Sequence, residues 1–214
     1  MNKHFLNSIW LGIGLTAFTY AIGLAFGWIN TVNPLEVFAV ATSYSCTWLC
    51  TVQSRINYLV GVVTTAAYSL LFWQSGAPAL ALFNLYLVFS MAYGWVRWRS
   101  DENTRPVTRT YTAGWVFYGL FGVVVLTLYL WVCVLFGMTL ADMNKIDIGL
   151  AVVSGIAQLM LDNKKLENWA VWAGINVVSI PYFWSLGLPL AAFQYVFFII
   201  NTRLGHVAWK KSMN

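Results

Sequence analysis

The sequence predicts an all-α polytopic membrane protein with about eight transmembrane helices. Of its 214 residues, 60% are hydrophobic and only 9% are charged, and the mean hydropathy is +0.69. A soluble domain carries about 25% charged residues, so this chain lacks the polar surface of a water-exposed globule. Apolar runs such as 197–200 do not alternate with polar residues, as the strands of a transmembrane barrel do. Lipid is therefore the expected solvent of most of the chain.

Eight apolar stretches are candidates for these helices, each of which needs about 20 residues to cross the bilayer. The first is longer than the apolar core of a signal peptide and has no small-residue cleavage site after it, so we expect it to remain as a helix. Several others are short for a full crossing. The predicted spans are Ile9–Ile29, Glu36–Thr51, Ile56–Trp73, Pro78–Val96, Thr112–Met138, Ile148–Leu161, Asn168–Ser185 and Leu188–Leu204.

The basic residues predict the orientation of these spans. With the N-terminus inside, eleven of the twelve basic residues lie on the inner side, and only Lys145 lies on the other. The positive-inside rule then places both termini in the cytoplasm. This placement explains the net charge of +5 without a nucleic-acid partner. The eleven are Lys3, Arg55, Arg97, Arg99, Arg105, Arg109, Lys164, Lys165, Arg203, Lys210 and Lys211.

An internal repeat organises the chain. A shift of 111 residues aligns 40–100 with 151–211 without a gap and with eleven identical pairs, where composition alone gives roughly four. We therefore expect parallel duplicated three-helix bundles joined by a linker helix, a 3+1+3 arrangement, plus an N-terminal helix. The predicted units are an N-terminal helix 1–35, a first repeat 36–100, a loop and linker helix 101–146, and a second repeat 147–214.

Polar residues at helical spacing indicate which faces line a cavity. Polar groups inside a membrane are costly and face the bundle interior. Asn168, Trp172 and Asn176 lie on one face of the seventh span, and the other spans of the two repeats carry similar stripes. Interhelical hydrogen bonds, worth about 0.6 kcal/mol each, are the alternative explanation. The candidate substrate-binding residues are Thr65, Tyr68, Asn84, Gln158, Asn168, Trp172, Asn176 and Gln194.

The two repeats differ within these stripes. Gly61 in the first repeat corresponds to Trp172 in the second, and Thr65 corresponds to Asn176. A duplicated scaffold has no need to diverge at such positions, whereas an asymmetric ligand requires it. Parallel repeats place substrate sites near the membrane midplane between them. The pattern therefore favours a carrier of a small solute.

Other functions fit the sequence less well. Catalysis needs a nucleophile–base pair or a metal cluster, yet His4 and His206 lie near the chain ends. Cys46, Cys50 and Cys133 have no metal-ligand spacing and are typical of apolar packing. A retinal receptor would need a lysine inside a span. We expect no enzyme activity, no cofactor and no metal, while a structural or receptor protein of the membrane stays open.

The segment 157–181, with Glu167-Asn168-Trp169 followed by Trp172, resembles the PnuC family of nicotinamide riboside transporters. The similarity extends over Glu36–Lys211 and includes 52–58 and 93–98. It implies a 3+1+3 core like that of full-length SWEET proteins and location in the inner membrane of a prokaryote, among lipid. It also implies facilitated diffusion of the riboside, which a cytoplasmic riboside kinase then traps for NAD synthesis. Thiamine and riboflavin, carried by relatives, are alternative solutes, and a homo-oligomer stays open.

The resemblance also implies roles for single residues. Asn168 and Trp172 match the family's substrate-contacting positions, while Asn84 stands where the family often has Gln. Trp172 is expected to stack on the base, and amide side chains to bind its polar edges. Apart from Asp162, no carboxylate lies within a polar stripe, so we expect uniport without ion coupling.

Overall fold

The computed structural model of the protein describes residues 3–29, 31–98, 105–135, 139 and 144–213. These residues form eight α-helices and no strand, and an isolated bridge pairs Thr108 with Lys165. The fold class expected from the sequence is thus confirmed. In chain order the helices are α1 Lys3–Ala25, α2 Pro34–Thr51, α3 Asn57–Gln74, α4 Pro78–Trp98, α5 Thr112–Leu135, α6 Lys145–Asp162, α7 Asn168–Ser185 and α8 Pro189–Lys211.

Each predicted span corresponds to one helix, and the differences lie at the ends. Helix α1 ends before the predicted Ile29 because the backbone N–H of Ile29 turns back to the Gly23 carbonyl at 3.1 Å, which closes the helix. Helix α8 continues past the predicted Leu204, because polar and basic residues extend a helix beyond its apolar part. The predicted end of the fifth span, Met138, and the basic residue Arg99 lie outside the described residues.

Apolar surface shows which helices meet lipid. Among the described residues, α1, α4 and α5 are long and apolar enough by themselves to cross a membrane. Helix α5 leaves large side chains such as Leu120 and Val134 exposed by 62% and 67%. Helices α2, α3, α6 and α7 have 18 residues each, or about 27 Å, close to the thickness of the hydrocarbon core. Their lower hydropathy comes from polar residues that face inward.

The helices of each repeat begin with the same local structures. Asn33 Oδ1 accepts from the backbone N–H of Glu36 at 3.3 Å at the start of α2, and Asn144 Oδ1 accepts from that of Asp147 at 3.3 Å at the start of α6. These are N-caps that satisfy free N–H groups of the first turn. Equal side chains at an offset of 111 residues therefore start equivalent helices.

Helix packing follows the same pattern. Within the first repeat α3 packs against α2 and α4, and within the second α7 packs against α6 and α8. The repeats meet where α2 packs on α8 and α4 on α6. Helix α1 packs on α2 and α8, and α5 packs on α6. These contacts support the predicted 3+1+3 division, with α5 as the linker, which stays a prediction.

One end of the bundle, here the acidic end, joins the repeats through two buried carboxylates. Glu36 of the first repeat accepts from the Ala191 backbone N–H at 3.0 Å, at the start of α8. Asp147 of the second repeat accepts from the Ala79 and Leu80 backbone N–H groups at 2.8 and 3.2 Å, at the start of α4. A carboxylate at a helix N-terminus is favoured by the partial positive charge there. Each repeat thus caps a helix of the other.

The opposite end, here the basic end, joins the repeats through Gln53 and Lys164, which occupy equivalent positions. Both have positive φ values, 56° and 50°, where α2 and α6 end. Lys164 Nζ donates to Gln53 Oε1 at 2.9 Å and lies 4.5 Å from the ring centroid of Trp98. Trp98 in turn meets its own equivalent, Trp209, with ring centroids 5.8 Å apart. These contacts close the basic end.

Candidate solute-binding cavity

An internal cavity of about 160 Å³ lies between the acidic end and the basic end. Side chains from all six helices of the two repeats line it. The volume holds several water molecules but is below the roughly 300–1,000 Å³ of pockets that bind drug-sized ligands. The cavity must therefore enlarge before it can enclose a vitamin-sized solute.

Most of the sequence-predicted binding residues meet at this cavity. Asn168 and Gln194 do not line it. Their side chains lie behind the wall, where both are fully buried and hydrogen-bonded to neighbouring residues. The six that line the cavity are Thr65, Tyr68, Asn84, Gln158, Trp172 and Asn176.

Gln194 is fully buried and braces the wall from behind. Tyr68 Oη donates to Gln194 Oε1 at 2.6 Å, and Gln194 Nε2 donates to Ser43 Oγ at 2.9 Å. Both partners line the cavity. Because Gln194 belongs to α8 and its partners to α3 and α2, this chain of bonds connects the two repeats. Gln194 positions Tyr68 in this structure.

Asn168 is fully buried and lies in the first turn of α7. Its Nδ2 donates to the Lys165 carbonyl, while its Oδ1 has no hydrogen-bond partner among the described residues. The equivalent Asn57 makes the same bond to the Ser54 carbonyl, at 2.7 Å. A contact present in both repeats indicates a structural role at the start of α3 and α7. The resemblance assigned Asn168 to the substrate, and this structure places it outside the cavity wall.

Two amide oxygen atoms at the cavity have no partner among the described residues. Trp172 also lines the cavity, and its Nε1 is buried inside the protein without a hydrogen bond to those residues. Asn84 uses its Nδ2 on the Leu80 carbonyl at 2.8 Å, and Gln158 uses its Nε2 on Asp162 Oδ1 at 2.9 Å, so both amides leave their oxygen atoms free to accept. Buried polar atoms are normally paired. Polar groups that are left without a partner are typical of a ligand-binding site.

Comparison with known proteins identifies the family of this chain. Residues 33–211 match the family described as Nicotinamide mononucleotide transporter. The chain belongs to this family. It is 20% identical over 216 residues to the nicotinamide riboside transporter PnuC of Escherichia coli strain K12, an alignment that covers 89% of this chain and 88% of the relative. It is also 23% identical to the PnuC of Neisseria mucosa, over 85% of this chain and 74% of the relative.

The solved crystal structure of the vitamin B3 transporter PnuC has the same fold as this chain. The two structures align with a TM-score of 0.78 at 19% sequence identity, over 100% of this chain and 93% of the other. A member of this family is an integral membrane protein whose task is transport. The cavity is accordingly the candidate transport site.

Trp169 is a cavity residue that the sequence reasoning missed. It lines the cavity one turn before Trp172 on the same face of α7, and its Nε1 also lacks a partner in the part of the chain that the structure describes. Helical spacing from Trp172 was the available signal. Its ring packs against Gly205, where an added Cβ would lie 2.4 Å from ring atoms. This close approach explains why glycine occurs at 205 and at the equivalent position 94, which meets Tyr58 in the same way.

Gly61 leaves less space in the first repeat than the sequence suggests. A Cβ at this position would lie 2.8 Å from Met91 Sδ and 3.5 Å from Cys46 Sγ. The room opposite Trp172 is therefore partly filled by flexible sulfur-containing side chains. Thioethers adapt readily to new shapes. This wall of the cavity can widen without moving a helix.

Asp162 has no exposed surface and lies just behind the cavity wall. Its carboxylate accepts from Tyr58 Oη at 3.0 Å, Ser90 Oγ at 2.9 Å and Gln158 Nε2 at 2.9 Å. The equivalent residue, Thr51, bonds instead to Asn201 Oδ1 at 3.2 Å. The two repeats thus share the position of this contact, but only the second has a carboxylate there.

Proposed function

We propose that this chain carries nicotinamide riboside across the inner membrane of a prokaryote by facilitated diffusion. The observation that carries the proposal is the indole of Trp172 at the central cavity, beside the amide oxygen atoms of Asn84 and Gln158, which accept no hydrogen bond from the described residues. Family membership and the names of the relatives in Escherichia coli and Neisseria mucosa support it. Both termini lie in the cytoplasm in this proposal, where a riboside kinase traps the product.

The chemistry of the solute suits these groups. Nicotinamide riboside has a flat pyridinium cation, a carboxamide and ribose hydroxyls. The face of a Trp ring attracts such a cation by about 0.5–2 kcal/mol, and more when water is excluded. The free oxygen atoms of Asn84 and Gln158 accept from hydroxyl or amide N–H groups, and Asn176 offers both donors and an acceptor.

Transport proceeds by alternate opening of the two ends. In this proposal the contacts that are formed at the two ends keep each end shut. Opening the acidic end breaks the bonds of Glu36 and Asp147 to helix N-termini, and opening the basic end separates Gln53 from Lys164. Each such hydrogen bond contributes about 0.5–3 kcal/mol, so a few of them set a barrier that thermal motion crosses. Rocking of one repeat against the other is the corresponding movement.

A binding panel on detergent-purified protein tests the solute. Titration calorimetry compares nicotinamide riboside, nicotinamide, thiamine and riboflavin, and we expect the riboside to bind most tightly. Trp172→Ala is expected to weaken riboside binding at least about tenfold, because it removes the stacking surface. Val177→Ala, exposed on the outside of the same helix, is the matched control and is expected to bind like wild type. Unchanged riboside affinity in Trp172→Ala would refute the site.

Proteoliposomes test the mode of transport. Without any ion gradient, the riboside is expected to enter until its internal and external concentrations are equal. With the membrane potential held at zero, accumulation above that level, driven by a proton or sodium gradient, would contradict uniport. Preferential binding and uptake of thiamine or riboflavin would assign the chain to another vitamin.

A further inference from the structure

Asp162 has different electrostatic surroundings from the other buried carboxylates of the described residues. Glu36 and Asp147 face helix N-termini, whose partial positive charge offsets theirs. Asp162 is the last residue of α6 and therefore lies at the partly negative end of its own helix. The three groups that donate to it, two hydroxyls and one amide, are all neutral. When this carboxylate is ionised, its negative charge is solvated by these dipoles and is not cancelled by these partners.

A single side chain, that of Gln158, separates this carboxylate from the cavity. Gln158 lines the cavity and bonds directly to Asp162, and Leu161 and Met91, the chain neighbours of Asp162 and Ser90, also line it. Water does not reach the carboxylate, because none of its surface is exposed. In such surroundings the electrostatic attraction between charges several Å apart is much stronger than in bulk water. A cation in the cavity therefore experiences this charge.

The geometry assigns Asp162 as the counter-charge by which the cavity prefers a cationic solute to a neutral one of the same shape. Gln158 connects the two, because it lines the cavity and its Nε2 donates to Asp162, which leaves its Oε1 free to accept from the solute. The asymmetry between the repeats agrees with this role, since the equivalent Thr51 carries no charge and a single cation needs a single counter-charge. Asp162 is a specificity-determining residue that does not touch the solute. This assignment rests on the proposed function.

Two ligands that differ in charge but hardly in shape provide the test. Nicotinamide riboside is a cation, and its dihydro form, with one hydride added to the ring, is neutral. Titration of detergent-purified protein gives the Kd of each, and the ratio of the two is the readout. Wild type is expected to favour the cation. Asp162→Asn is expected to weaken cation binding about tenfold while changing the neutral form by less than about threefold.

Two control variants separate charge from structure. Ser90→Ala removes one donor to Asp162 but keeps the carboxylate, so the ratio is expected to stay at the wild-type value. Thr51→Val removes the equivalent contact of the first repeat, which is uncharged, and is also expected to keep the ratio. An equal loss of both ligands in Asp162→Asn would overturn the assignment, as would a changed ratio in Thr51→Val.

The assignment remains testable even when Asp162→Asn does not fold. Trp172→Leu retains the carboxylate and lacks the ring, so a remaining preference for the cation supports Asp162, and its disappearance overturns the assignment. Equal wild-type affinity for the two ligands also overturns it. The proposed function fails separately, when wild-type protein binds neither form of the riboside.

Discussion

The two repeats are nearly equal at the ends of the bundle and different at its centre. At the acidic end Glu36 and Asp147 make equivalent contacts, and at the basic end Trp98 donates to the Leu161 carbonyl as Trp209 does to that of Cys50. At the cavity, by contrast, equivalent positions of the two repeats carry different residues. Gly61 corresponds to Trp172, and Thr65 corresponds to Asn176. These four contacts at the ends are duplicated, whereas the groups that line the cavity are not.

This difference separates two requirements of a carrier. Because the two repeats make equivalent contacts, each contributes a similar free energy to keeping the bundle closed. Neither repeat then accounts for most of that free energy. The solute itself has no twofold symmetry, and a symmetric cavity could not match its charged ring at one side and its ribose at the other. The scaffold can thus remain duplicated while the wall diverges.

The strongest way to break the scaffold is to fill the glycines at helix crossings. Gly205→Ala and Gly94→Ala are expected to lower the free energy of unfolding by about 1–3 kcal/mol each, because the new methyl group meets the rings of Trp169 and Tyr58 at 2.4 and 2.0 Å. Thermal unfolding in detergent measures this loss. Gly174→Ala, with open space around its Cβ, is the control and is expected to be neutral or stabilising. Equal behaviour of all three variants would contradict the packing argument.

A smaller effect is expected at the acidic end. Glu36→Gln and Asp147→Asn keep an oxygen acceptor but lose the charge that favours a helix N-terminus, at a cost of about 1 kcal/mol each. Because the contacts are equivalent, we expect similar decreases of the unfolding temperature and an additive double variant, since the sites are independent. Gln74→Glu, at the end of α3 nearby, adds charge without either contact and serves as a control. A large effect in one variant and none in the other would show that the repeats are not equivalent there.

The smallest effect is expected at Gly61, in the cavity wall. Gly61→Ala brings a Cβ to 2.8 Å from Met91 Sδ, but the thioether can move aside, so the loss of stability is expected to be below about 1 kcal/mol. Thermal unfolding compares it directly with Gly94→Ala. Riboside titration is expected to show weaker binding, because the methyl group reduces the space opposite Trp172. A stability loss as large as that of Gly94→Ala would mean that this wall is as rigid as the scaffold.

Much of this architecture could be predicted from local sequence. The bounds of α7 agree with the prediction at both ends, because Asn168 and Ser185 bound an apolar helical stretch. Most of the residues that helical periodicity predicted for the cavity do line it, since polar groups in lipid have only the interior to face. Periodicity did not distinguish Asn168 from Trp172, because both lie on the inner face of α7. Their depth relative to the cavity depends on where neighbouring helices cross.

By itself, the sequence determined the helices, the duplication and the inward-facing stripes, because hydropathy and a helical period act over neighbouring residues. The tertiary structure alone decided the partners of Glu36, Gln194 and Asp162. Their hydrogen bonds join residues 155, 126 and 104 positions apart, to Ala191, Tyr68 and Tyr58. No local pattern encodes which side chain a buried carboxylate or amide will meet. That choice follows from the packing of whole helices, which brings distant segments together.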